Sequence, residues 1–364
     1  AGEQQKSQKA AKTAHTLFTA DTCPLTIRFC PVLRPCRSAS GKYWKSGRCV
    51  HHRAVNTEAA NQRGDTDEAE NSNLRPHNFR RDLVVLMKVR LNIFVLITTF
   101  FGFILASRGI SFDWMKLLHT LLGTAAAAFG SAAFNQLMEV DLDARMKRTA
   151  DRPLPARRMD PLAAFGVGWI LSAIGIIHLA VKVGHLAAYF TAATIAIYVF
   201  VYTPLKRIHS SNTLVGAIPG AIPPLIGWVG TGRGLGWEAW FLFGVLFLWQ
   251  LPHFIAINWL HRAEYEAAGY KMWSNGDLTG KKSGLLSVMF AISLAAFSII
   301  PAFVGFANII WTIGGPLLAL IMAALAFGFA KDGQRTSARR LFFSTLLYLP
   351  LALTLLAIAW KTRA

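Results

Sequence analysis

Met115-Lys-Leu-Leu-His-Thr-Leu-Leu-Gly-Thr-Ala-Ala-Ala-Ala-Phe-Gly-Ser-Ala-Ala-Phe-Asn-Gln-Leu-Met138, followed at once by Glu139-Val-Asp-Leu-Asp143, decides how this chain is read. No Asp, Glu, Lys or Arg falls between Lys116 and Glu139. At 1.5 Å per helical residue the run is long enough to cross the roughly 30 Å of a bilayer's hydrocarbon. It then stops in a burst of charge. Its Gly, Ala and Ser residues let neighbouring helices come close, which predicts an interior position.

The same block length recurs along the chain. Apolar segments predict nine spans: Leu83–Ser107, Met115–Met138, Pro161–Val181, His185–Tyr202, Thr213–Thr231, Trp237–Leu260, Leu285–Phe306, Ile309–Ala330 and Leu341–Trp360. A composition of 53% hydrophobic and 16% charged residues, with a mean hydropathy of +0.38, fits an all-α integral membrane protein better than two soluble domains in 364 residues. The fifth block, rich in Gly and Pro, is a second expected interior helix.

The net charge of +19 would point to nucleic acid in a soluble protein. Here the basic residues gather between spans instead. The loops after spans two, four, six and eight carry Arg145, Lys147, Arg148, Arg152, Arg157 and Arg158, then Lys206 and Arg207, then Arg262, Lys271, Lys281 and Lys282, then Lys331, Arg335, Arg339 and Arg340. The loops after spans three, five and seven carry little beyond Lys182 and Arg233. That bias predicts the N-terminus and the even loops in the cytoplasm, and no nucleic-acid partner. The bacterial inner membrane is the expected location, with the mitochondrial inner membrane as the alternative.

Residues 1–78 lack an apolar run and predict a polar, disordered extension, with the membrane domain at 79–364. Poor in acids up to Thr57, the extension is compatible with a transit peptide or with an upstream extension of a bacterial protein. Cys23, Cys30, Cys36 and Cys49 all lie in it at spacings that match no zinc site, and the predicted spans hold no cysteine.

The chemistry concentrates at the end of the second span. Asn135, Glu139 and Asp143 stand four residues apart, so on a continuous helix they line one face over roughly 12 Å. An oxygen-only array suits Mg²⁺, which takes one or two carboxylates together with water and substrate phosphate. Lys147, Arg148 and Arg152 follow as donors for phosphate oxygens. A single acid at a helix end is usually just solvated, but a carboxylate at the membrane boundary marks a wet, functional cavity.

Asn135-x-x-x-Glu139-x-x-x-Asp143-x-x-Met146-x-Arg148-Thr149, then Arg152-Pro153, resembles the first signature of the haem O synthase (protoheme IX farnesyltransferase) branch of the UbiA prenyltransferase superfamily. The resemblance runs from about Leu86 to the last span. Tyr202-Thr-Pro-Leu-Lys206-Arg207, with Asn212 and the Gly216 to Trp228 segment, is similar to the family's connection between helices four and five. Trp249-Gln-Leu-Pro-His253-Phe254, continuing to Glu264-Tyr265, is similar to its second acidic signature, with Glu264 in place of the usual Asp and with Ala268 where many relatives carry another acid. That alanine leaves a second metal site incomplete. Lys88-Val-Arg90 stands where the family has Lys-Pro-Arg.

The resemblance implies a nine-helix UbiA-type bundle with a central cavity open to the cytoplasmic side. It implies Mg²⁺ on Asn135, Glu139 and Asp143, and diphosphate held by Lys88, Arg90, Lys147, Arg148, Arg152, Lys206 and Arg207. Glu139, Asp143, Glu264 and Tyr265 become the expected catalytic residues. His253, read from the residues alone as either a packing side chain or a ligand, becomes the candidate haem contact. Expected substrates and partners are farnesyl diphosphate, haem B, the lipid bilayer and other haem-oxidase assembly proteins. A prenyltransferase for an aromatic or quinone-precursor acceptor and a membrane transporter stay open as rivals. A transporter predicts acids at the membrane midplane, whereas those here cluster at one rim.

Overall fold

The computed structural model describes residues 78–361, so the polar extension and all four cysteines lie outside the described residues. Among the described residues nine helices are long and apolar enough to cross a membrane: Val89–Ala106, Trp114–Met138, Pro161–Lys182, His185–Ile208, Asn212–Gly230, Trp237–Leu260, Lys281–Val304, Ile309–Asp332 and Arg335–Ala359. They match the nine predicted spans, with ends shifted by a few residues.

The first predicted span departs from expectation in an informative way. Its apolar run reads as one helix from Leu83, but the structure breaks it into Phe79–Leu86 and Val89–Ala106. Lys88 sits in the break in a left-handed conformation (φ 47°), which L residues avoid unless surrounding contacts hold them there. Asn78 caps the leading helix by accepting from the Arg81 N–H at 3.2 Å, and buried Asp82 pairs with Arg158 at 3.2 Å. The break turns the Lys88 side chain inward, where an unbroken helix would have set its direction by register alone.

Small residues set the helix packing. A Cβ on Gly175 would lie 2.6 Å from the Ala127 nitrogen and 2.7 Å from the Gly123 oxygen, and one on Gly130 would lie 2.7 Å from the Gly168 oxygen. Spans two and three therefore touch backbone to backbone, the geometry that Gly and Ala permit in lipid. Gly102 and Gly227 bring spans one and five together in the same way, against Pro224 and Thr99. The fifth span is the most enclosed of the nine, as expected. The second is less enclosed than the sixth. Its small face admits one close neighbour, while Leu118 and Leu122 on the other side stay exposed to lipid.

The fourth span changes character near its end. Ile197–Tyr202 widens into a π-helical turn directly before Thr203-Pro204. Proline has no N–H to give the preceding turn and its ring displaces a carbonyl there, so the wider turn absorbs both effects. The Tyr198 carbonyl accepts both the Thr203 backbone N–H, closing the widened turn, and the Thr203 hydroxyl at 2.8 Å.

Candidate active site

The second span ends at Met138, and Glu139 (φ −103°, ψ 6°) is a hinge before a separate short turn, Val140–Asp143. The expected stripe of three oxygens is therefore not a continuous helical face. Glu139 and Asp143 are buried at 4% and 1% exposure, and both line one cavity of about 290 Å³. Asn135 does not line it. Its Oδ1 accepts from Lys88 Nζ and its Nδ2 donates to Thr203 Oγ1 at 3.1 Å, so it ties the ends of spans two and four to the break in span one. Helical register predicted Asn135 on the common face; the hinge at Glu139 took the two acids to the cavity and left the amide behind.

Each acid faces a cation from elsewhere in the chain. Lys206 Nζ donates to Glu139 Oε1 at 2.8 Å while sitting 4.4 Å from the centre of the Tyr202 ring. Arg152 Nη1 donates to Asp143 Oδ2 at 2.5 Å. The Thr149 hydroxyl, buried behind them, donates to the Asp143 carbonyl at 2.8 Å and closes the turn. Burial opposes charge on Glu139, yet Lys206 and Lys88 outweigh it and hold the group below the usual carboxylate range. Burial lifts Asp143 above that range despite Arg152. Two neighbouring acids thus have opposed tendencies, a pattern of functional sites.

Of the other expected residues, Lys88, Arg148, Arg152, Lys206, His253 and Tyr265 line the cavity. Arg148 donates to the Tyr265 hydroxyl at 2.8 Å and stands 5.1 Å from the centre of its ring, bridging the first and third signature segments. Arg90, Lys147 and Arg207 are exposed and outside the lining. Arg207 instead donates to the Met138 carbonyl at 2.6 Å, satisfying the end of the second span. Glu264 is also outside the lining: one oxygen is 3.6 Å from His261 Nδ1, and the other is buried without a hydrogen bond. Charge alone could not separate these residues, since a phosphate donor and a helix-end cap carry the same side chain.

Tyr198, Tyr270 and Asn258 line the cavity without having been singled out. Tyr198 stands four residues before Tyr202, a spacing that could have flagged it, while Tyr270 lies in a loop where no periodicity speaks. That loop is anchored where Lys271 N–H donates to the Lys206 carbonyl at 2.8 Å and Asn212 Nδ2 donates to the Lys271 carbonyl at 2.6 Å. Three segments far apart in sequence thereby close over one space.

The description "UbiA prenyltransferase family" matches residues 95–349. Protoheme IX farnesyltransferase of Solibacter usitatus (strain Ellin6076) is 39% identical over 279 residues, which is 74% of this chain and 96% of that one. The chain belongs to the UbiA prenyltransferase family. Mitochondrial protoheme IX farnesyltransferase of Arabidopsis thaliana is 36% identical, over 75% of this chain and 64% of that protein. Among solved structures, one of digeranylgeranylglyceryl phosphate synthase superposes with a TM-score of 0.65 at 15% identity, covering 77% of this chain and 97% of that one. A UbiA homologue from Archaeoglobus fulgidus, bound to GPP and Mg²⁺, gives 0.51 at 13% identity over 76% and 99%. At such identities the likeness concerns the UbiA fold alone.

As a UbiA member this chain offers a divalent ion only part of a coordination sphere. Among the described residues no group of three or more His, Cys, Asp or Glu side chains gathers to hold a metal. Two carboxylates beside several cations nonetheless fit Mg²⁺, whose remaining positions go to water and phosphate.

Lys88 gives the site a pH signature. Burial first, then the nearby Arg152 charge, push its ammonium down to about 7. It is charged below that pH and neutral above it, so its pull on an anionic substrate is lost as pH rises. The KM for an isoprenyl diphosphate should climb above pH 7, and Lys88→Arg, whose guanidinium stays charged, should remove the inflection. A KM profile across pH 6–9 that is the same for both proteins would refute this.

Proposed function

We propose that the chain transfers the farnesyl group of farnesyl diphosphate to haem B and so makes haem O. The similarity to protoheme IX farnesyltransferases over nearly the whole length of the Solibacter protein supports this reading. The observation that carries it is the meeting of Glu139 and Asp143 with Lys88, Arg148, Arg152 and Lys206 in one half-closed cavity at the membrane rim.

Glu139 and Asp143 would hold Mg²⁺, which supplies positive charge to the departing diphosphate when bound. Lys206 and Arg152 then turn from the acids to phosphate oxygens, so the charge balance of the cavity is kept as substrate enters. Heterolysis of the allylic C–O bond puts negative charge on the diphosphate among these preorganised donors. The rings of Tyr198, Tyr202, Tyr270 and Phe254 line the same space, offering π faces to the allylic cation and excluding water. The vinyl group of haem B attacks the cation to form the new C–C bond. The carbocation so created on the haem substituent takes up water and releases a proton, giving a hydroxyethylfarnesyl group. At about 290 Å³ the cavity lies at the lower edge of the ~300–1,000 Å³ typical of ligand sites, so side chains move aside for the acceptor.

The chain is an integral membrane protein, and the positive charge of its even loops supports a reading in which those loops face the cytoplasmic side of a bacterial inner membrane. The mitochondrial inner membrane is the second reading, favoured by the Arabidopsis relative.

Purified protein incubated with haem B, farnesyl diphosphate and Mg²⁺ should yield haem O by mass. EDTA should stop the reaction and added Mg²⁺ restore it. Diphosphate release only when an aromatic acceptor replaces haem B would turn the assignment to the rival prenyltransferase, and solute flux in proteoliposomes without diphosphate release would turn it to a transporter.

A further inference from the structure

The short helix Phe79–Leu86 has two unlike faces. Leu83 and Leu86 pack inward among Ala133 and Leu137 of the second span, Leu154, Met159 and Ala164, so the helix lies on the adjoining ends of spans two and three. Phe79, Val84 and Val85 are exposed, and so are Arg80 and Arg81. Neither arginine has an ion pair among the described residues. Exposed cations interleaved with exposed apolar side chains, on a helix that runs into a membrane span, fit the boundary between acyl chains and acidic headgroups.

The same helix leads into the break where Lys88 (φ 47°) turns to the cavity. A left-handed lysine persists only where its surroundings hold it. Gln136 Nε2 donates to the Val85 and Leu86 carbonyls at 2.6 and 3.0 Å, and Asn92 Nδ2 donates to the Met87 carbonyl at 2.7 Å, so buried side chains serve the carbonyls at the break. An unbroken helix would instead carry Arg80 and Arg81 roughly 13–15 Å beyond Arg90 along its axis. That exceeds the ~8 Å over which physiological salt screens a charge. An acidic surface therefore attracts the arginines of the broken form more than those of a straight one, and a partner that favours one form shifts the balance toward it.

We propose that Arg80 and Arg81 dock this helix on acidic phospholipid headgroups and that the docking holds Lys88 in the cavity. The two arginines are positioning residues that act on an isoprenyl diphosphate through Lys88, a step that rests on the prenyl-transfer reading.

The test places the full-length protein in nanodiscs of phosphatidylcholine with and without phosphatidylglycerol. Phosphatidylglycerol should slow backbone hydrogen exchange across residues 79–88. It should also tighten binding of farnesyl diphosphate, measured with Mg²⁺ and no acceptor, roughly 3–10-fold. Both effects should fade at high salt. Because both side chains are exposed, their replacement leaves the fold intact. Arg80→Gln with Arg81→Gln should lose both lipid effects, whereas Arg80→Lys with Arg81→Lys should keep them. Equal exchange in the two lipids, or lipid effects that survive in the glutamine variant, would overturn the docking. Slowed exchange with unchanged diphosphate affinity would overturn the coupling to Lys88. Failure to bind farnesyl diphosphate in either lipid would instead remove the prenyl-transfer reading, and the exchange result would then decide the docking by itself.

Discussion

Asp143→Ala should insert and fold like the native chain and yet lose roughly 10²–10³-fold in kcat for prenyl transfer, the usual cost of removing one preorganised electrostatic element. Folding survives because the partner left behind, Arg152, keeps a quarter of its side chain exposed and can turn to water. Glu139 is a harsher case. Its removal leaves Lys206, only 12% exposed, without a counter-charge, and breaking a buried pair in this way costs ~3–5 kcal/mol. Glu139→Gln, which keeps an acceptor for Lys206, is therefore the cleaner variant, with a similar expected loss of activity. Product formation near the native rate in either folded variant would remove the acid replaced in it from the mechanism.

The second large effect concerns folding. Gly227→Val should yield little or no monodisperse protein, because a Cβ there would overlap the Thr99 carbonyl and lie 2.8 Å from the Phe103 nitrogen. Backbone cannot swing away as a side chain can, so spans one and five would have to separate, at ~3 kcal/mol or more. They are the spans that hold Lys88 and Asn212 to the cavity, so activity should fall with stability. Gly166→Ala is the control: nothing lies within 4 Å of the added methyl, and a mid-helix Gly to Ala change gains helix propensity. Size-exclusion profiles and thermal unfolding in detergent would separate the two. A stable Gly227→Val would mean that the close approach of spans one and five is not required.

The nine spans were legible because hydrocarbon imposes a length and a polarity on every segment that crosses it, and that constraint is local to each block. The same locality exposed the acids and bases of residues 139–152, which stand out against an apolar chain. The resemblance then supplied the chemistry that residue types alone left open between enzyme and transporter. Small-residue patterning found the close contacts of spans two and five, though it did not tell which face of span two meets lipid.

What the tertiary structure alone decided is which polar groups share a space. The backbone break at Lys88 and the hinge at Glu139 both run against helical periodicity, so register arguments put Asn135 on the cavity when it is a tie between spans. Arg207 and Lys206 are neighbours in sequence; one caps a helix end and the other grips Glu139. His253 Nδ1 lies 2.9 Å from the hydroxyl of Thr345, 92 residues away along the chain. Side-chain chemistry and span length belong to the sequence, whereas pairing across helices depends on how the spans pack, and no local pattern encodes that.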